Sequence, residues 1–191
     1  MRSPSHHRAV DGCSAMPVFR EKSVTPDLYR VRSFGDGFVA VMPRPRAGDW
    51  LEDEIAGLRR LGVSAMASLL EPDEARELGL ESEVTIARQQ GLSFRQFPIP
   101  DRSTPVKLPA YARFIGELAE DVLAGAGLAI HCRAGIGRSG LTAAATLVAL
   151  GENPDQVFEQ ISAARGVQVP DTDAQRRWFE ACWRHFADLR Q

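Results

Sequence analysis

Apolar and polar positions alternate along the chain in two rhythms. Runs in which nearly every position is apolar, at 63–70 and 128–130, suit strands buried on both faces. Two shorter stretches, 28–31 and 38–42, read as strands joined by the turn cluster 33–37, and 92–97 alternates as a strand does. Between these lie segments with apolar residues at helical spacing. Leu51, Ile55, Leu58 and Leu61 predict a helix capped by Asp49 and stopped by Gly62. Short helices are predicted from 71 to Gly79 and over 81–90. A longer one, over 108–124, buries Tyr111, Phe114, Ile115, Leu118 and Val122. Three more follow. One runs over 138–150, and one over 154–165 has Pro154 in its first turn. The last is capped by 171–173 and carries Trp178, Phe179, Cys182, Trp183 and Phe186. Strands that alternate with helices predict a single α/β domain, with a mainly parallel sheet of about five strands covered on both faces.

The ends of the chain and its charge change this picture little. Residues 1–25 are polar and read as a flexible arm, leaving 26–191 as the folded domain. The pair His6-His7 is expected to be solvated rather than metal-bound, and Met16 is an alternative start. No metal or cofactor is expected. A net charge of −2 gives no field that would draw nucleic acid. The longest apolar helix, near 141–150, is too short to cross a membrane, so no stable membrane association is expected. Three cysteines, Cys13, Cys132 and Cys182, do not make a disulfide framework, and a reducing cytoplasm fits them. Cys182 is expected in the core, with a redox partnership to Cys132 left open. A monomer is expected.

One segment carries chemistry: His131-Cys132-Arg133-Ala134-Gly135-Ile136-Gly137-Arg138-Ser139-Gly140, between the strand at 128–130 and the following helix. Gly135 and Gly137 permit a tight curl in which the backbone N–H groups from Arg133 to Arg138 face one anion. The helix start adds its positive end, and Arg138 adds a planar fork for two phosphate oxygens. Such surroundings favour the thiolate, the nucleophilic form of cysteine. A nucleophile facing a bound phosphate points to phosphoryl transfer onto sulfur. Upstream, the proline-rich loop 98–105 places Asp101 just after a strand, where α/β proteins place their sites. Arg44 and Arg46, in the loop 43–48, offer a basic rim, although solvated loop arginines are the commoner arrangement.

The segment resembles the signature His-Cys-x-x-Gly-x-x-Arg-Ser/Thr of the cysteine-dependent protein tyrosine phosphatase superfamily, matching it at 131, 132, 135, 138 and 139. Over residues 28–187 the chain is similar to the dual-specificity branch, and within it to compact proteins like the cyclin-dependent-kinase-associated phosphatase. The resemblance implies a dual-specificity phosphatase-like fold and assigns roles. Cys132 is the nucleophile and Arg138 binds phosphate. Asp101 is general acid and then base, and Ser139 donates to the leaving sulfur. His131 braces the loop from behind. The stretch 163–175 resembles the segment in which a glutamine orients the hydrolytic water, which makes Gln175 the candidate. The span 72–90 varies among relatives and says little.

The implied substrate is a phosphorylated protein, with phosphotyrosine or dual specificity preferred. Arg133 beside the cysteine gives partial support to a phosphoinositide or another small phosphate ester, but Ile136 stands where lipid-directed relatives tend to be basic. Two other readings share the loop. A binding module without turnover would lack Cys132, Arg138 or Asp101, and a rhodanese-like sulfurtransferase would not need Asp101 or Ser139.

Overall fold

The structure, a computed structural model, describes residues 25–190. The expectations for the arm, His6-His7, Cys13 and Met16 lie outside the described residues. The strands are β1 Tyr29–Phe34, β2 Gly37–Met42, β3 Ala65–Ser68, β4 Ser93–Gln96 and β5 Gly127–His131. The helices are α1 Leu51–Arg60, α2 Pro72–Glu77, α3 Glu83–Gln89, α4 Leu108–Leu123, α5 Gly137–Ala149, α6 Val157–Arg165, α7 Asp173–Cys182 and α8 Arg184–Ala187. The five strands form one sheet in the order β1-β2-β5-β3-β4, and only β1 runs antiparallel, against β2.

Side-chain alternation explains why the sheet is covered on both faces. Val39, Val41, Leu128 and Ile130 face one core, which α4, α5, α6 and α7 complete. Phe38, Ala40, Met42, Met66 and Ala129 face the other, closed by Leu51, Ile55, Leu58 and Ala87 of α1 and α3. β5 is the middle strand, and its carboxyl end opens between β2 and β3. Ligands bind in such crevices in α/β sheets. α5 is buried along nearly its whole length, and Gly140 admits it against Val169, whose Cγ1 an added Cβ would meet at 2.1 Å.

The expected fold holds, with shifted ends. The turn after β1 is only Gly35-Asp36, because both strands run into it. Asp49 is not an N-cap. It sits inside a 3-10 turn, Gly48–Trp50, where the Leu51 N–H is satisfied by Gly48 O and no side chain is needed. Pro154 lies before α6 rather than in its first turn. Asn153 closes a side-chain turn there, its Oδ1 accepting from the Asp155 N–H at 3.0 Å. The last helix is two segments, α7 and α8, that meet at Trp183. Cys182 is half-buried against the main core, and burial pushes its thiol pKa up.

Candidate active site

β5 ends at His131, and the chain turns at once to bring Cys132 over the sheet end. Gly135, at φ 72°, makes the sharp bend. A Cβ there would meet the Met42 carbonyl carbon at 2.4 Å, so only glycine lets the loop lie on the end of β2. α5 begins at Gly137, and its first turn carries Arg138 and Ser139.

The loop's carbonyls are fixed outward. Arg133 O accepts from the Arg44 backbone N–H at 3.3 Å. Ala134 O and Gly135 O accept from Arg165 Nη2 and Nε at 3.1 and 3.2 Å. In a planar trans peptide the next N–H points opposite to the carbonyl. Holding three carbonyls out therefore turns the N–H groups of Ala134, Gly135 and Ile136 toward the concave side. Arg165 is itself held over the Tyr29 ring, 4.2 Å from its centroid.

A cavity of about 170 Å³ occupies that concave side, lined by Cys132, the loop through Arg138, and the carboxylates Asp101 and Asp171. Cys132 Sγ lies 3.4 Å from Ser139 Oγ. Arg138 is 1% exposed and makes three hydrogen bonds and one further ion contact. Nη1 donates to Glu74 Oε2 at 2.6 Å and to Ile99 O at 3.0 Å. Nη2 donates to Glu74 Oε1 at 2.8 Å and meets Asp101 Oδ1 at 2.8 Å. Burial works against the charge on Arg138, but the Glu74 hydrogen bonds and the negative charges at Cys132 and Asp101 outweigh it and raise its pKa.

Asp101 rides on a shaped loop. Phe97, at its foot, packs on Tyr111 and Phe114, both at 5.2 Å between centroids. The Ile99 N–H bonds Leu69 O, and the Ser103 N–H closes a turn on Pro100 O. Arg102, at the loop's tip, takes φ 57° and reaches Asp171 at 3.5 Å.

The other candidates fall around this centre. His131 is fully buried behind the loop, with Nε2 3.1 Å from Glu83 Oε1 of α3, within ion-pair range but out of line for a hydrogen bond. Gln175 is buried and committed. Its Oε1 accepts from the Thr172 N–H at 3.3 Å, and its Nε2 donates to Ser103 O at 3.0 Å, tying α7 to the acid-bearing loop. Arg46 turns away to Glu54 at 2.6 Å, and Arg44 contributes its backbone rather than its side chain. Sequence reasoning passed over Glu74, Glu83, Arg165 and Asp171.

The Arg138 hydrogen bonds hold the Glu74 carboxyl below the usual range, against the effect of burial. A carboxylate lowered in the folded state stabilises it above the ordinary value of 4.5, and that contribution is lost as the pH falls through the lower folded value. A Glu74→Gln variant should therefore lose less melting temperature than wild type between about pH 5 and 3. Parallel acid melts would count against the clamp.

A family model described as "Tc-R-P: Polymorphic toxin system, DSP-PTPase phosphatase" matches residues 40–152, more than half of the chain. The chain belongs to this family. As a DSP-PTPase phosphatase it hydrolyses phosphoesters by a cysteine-dependent mechanism. Solved structures agree on the fold. Kinase associated phosphatase with its catalytic cysteine changed to serine superposes with a TM-score of 0.73 at 19% identity, covering 88% of this chain and 98% of that one. Tk-PTP in its active form gives 0.65 at 22% identity, covering 83% and 97%. PTPMT1 in complex with PI(5)P gives 0.65 at 16% identity, covering 85% and 96%. No curated protein sequence matches the chain. No helix among the described residues is long and apolar enough to cross a membrane.

Proposed function

We propose that this phosphatase, acting as a monomer through residues 26–191 in a reducing cytoplasm, dephosphorylates protein side chains through a cysteinyl-phosphate intermediate. The observation that carries the reading is the meeting of the Cys132 sulfur, the Arg138 guanidinium and the Asp101 carboxylate in one cavity. The Cys132 thiolate attacks phosphorus and the P–O bond to the substrate breaks. Asp101 gives its proton to the departing oxygen, a service worth typically 10²–10⁴-fold. The loop N–H groups and the free Nε edge of Arg138 hold the equatorial oxygens. Water then displaces the sulfur, which leaves as thiolate beside the Ser139 hydroxyl.

Charge beside the cavity supports a protein substrate over a lipid headgroup. A groove of about 470 Å³ shares Asp101 and Arg133 with the cavity and adds Glu71, Asp73, Glu74 and Glu77. A second phosphate on a headgroup would meet these carboxylates, whereas a lysine or arginine beside a phosphotyrosine would be attracted. The test is a panel of phosphopeptides and phosphoinositides with EDTA present. Phosphotyrosine peptides flanked by lysine are expected to exceed acidic ones in kcat/KM by about tenfold at low salt, and phosphoinositides to trail both. Preference for phosphoinositides would overturn this substrate class.

A further inference from the structure

The chemistry above leaves one carboxylate of the cavity without a task. We infer that Asp171 is a second catalytic carboxylate, which takes the proton of the water that hydrolyses the phosphocysteine. The inference rests on the proposed role of Cys132 as nucleophile. Four observations carry it.

Asp171 lines the same cavity as Cys132 and Arg138, from the connection between α6 and α7, while Asp101 enters from a different loop. It is seated close to the loop. A Cβ on Gly137 would fall 3.0 Å from Asp171 Cβ and 3.1 Å from the Gln175 amide, so a glycine at the start of α5 makes room for both. The two carboxylates differ in what they already hold. Asp101 Oδ1 contacts Arg138 Nη2 at 2.8 Å, whereas Asp171 Oδ2 meets Arg102 Nε only at 3.5 Å, which leaves it able to accept from a water. Finally, Gln175, the residue expected to handle that water, has both ends of its amide occupied by Thr172 N–H and Ser103 O and does not line the cavity.

The step balances without another reactant. Water oxygen bonds to phosphorus as the P–S bond breaks. The sulfur leaves with the electron pair as the Cys132 thiolate, one water proton passes to the Asp171 carboxylate, and inorganic phosphate departs. Asp171 then returns its proton to solvent. Asp101 is thereby left as the acid of the first step alone, and it takes back from solvent the proton it gave to the departing oxygen.

The experiment is stopped-flow hydrolysis of p-nitrophenyl phosphate and a set of aryl phosphates by wild type, Asp171→Asn, Asp101→Asn and Asp173→Asn. Asp171→Asn should release one equivalent of phenol in a burst and then turn over about 10²-fold more slowly than wild type. Its kcat should not depend on the leaving group, and its intact mass should rise by one phosphoryl group during turnover. Asp101→Asn should show no burst and a strong dependence on the leaving group. Asp173→Asn, which removes a neighbouring exposed carboxylate that does not line the cavity, should resemble wild type. The inference is overturned if Asp171→Asn keeps kcat within about threefold of wild type, slows without a burst, or is reproduced by Asp173→Asn. Retention of turnover by Cys132→Ser would instead overturn the nucleophile assignment beneath it.

Discussion

Replacing Cys132 by serine is expected to abolish turnover, with a loss of about 10⁴-fold or more in kcat. The substitution exchanges sulfur for oxygen in a 3% exposed position, so the cavity keeps its shape. What changes is the nucleophile. A hydroxyl needs a base to remove its proton, whereas a thiol in a positive field ionises without one. Its polar neighbour is another hydroxyl, Ser139 Oγ at 3.4 Å, which is no such base. A 10⁴-fold loss corresponds to about 5.4 kcal/mol of transition-state stabilisation. Binding should survive, because the N–H groups and Arg138 are untouched. Steady-state assays with p-nitrophenyl phosphate, beside calorimetric titration with a phosphopeptide, measure both halves. A variant within tenfold of wild type would remove sulfur from the mechanism.

Changing Arg138 to lysine should cost about 10³-fold in kcat. The guanidinium satisfies Glu74 with two N–H groups and Ile99 O with a third, ion-pairs with Asp101 through Nη2, and still has Nε to offer a phosphate. An ammonium has three donors around a single point and cannot hold Glu74, Ile99 O and a phosphate oxygen in one plane. Loss of a preorganised donor of this kind typically costs 10²–10³-fold. Truncation to alanine should also strip Glu74 of its partner, at about 3 kcal/mol, or roughly 6–12 °C in Tm for a chain of this size. Removing Glu74 as well, in Arg138→Ala/Glu74→Ala, should return much of that stability and none of the activity. Calorimetry and kcat on the three variants separate the two effects. Equal melting of the single and double variants would dismiss the Glu74 contact as structural support.

What could be read from the chain divides by sequence distance. The strand-loop-helix around Cys132 was legible because its chemistry is local. The apolar run, the glycines, the nucleophile and Arg138 lie within eleven residues, 128–138. The sheet was legible because runs such as 38–42 and 128–130 are apolar at nearly every position. Asp101 announced itself through the prolines around it. Glu74 did not, since it sits on a six-residue helix with no buried face and meets Arg138 across 64 positions. Arg165 and Asp171 belong to a stretch that was noticed for Gln175, but a charged side chain near a helix end looks solvated until its partner is placed. Gln175 pairs with Thr172 in a capping box, a local pattern, and its second contact is 72 positions away at Ser103. The misplaced helix starts at Asp49 and Pro154 have one cause. Residues that favour a cap or a first turn also favour the tight turns that precede helices.

Two of the groups that shape the phosphate loop lie beyond the stretch the family model covers. Arg165 holds two loop carbonyls and stands on Tyr29 of the outermost strand, while the family match begins at residue 40 and stops at 152. Trimming the protein to those limits would discard a pillar and its footing together. The smallest active fragment must therefore reach from the first strand past the sixth helix to Asp171 and the seventh helix, and engineering on this scaffold should treat residue 29 as belonging to the active centre.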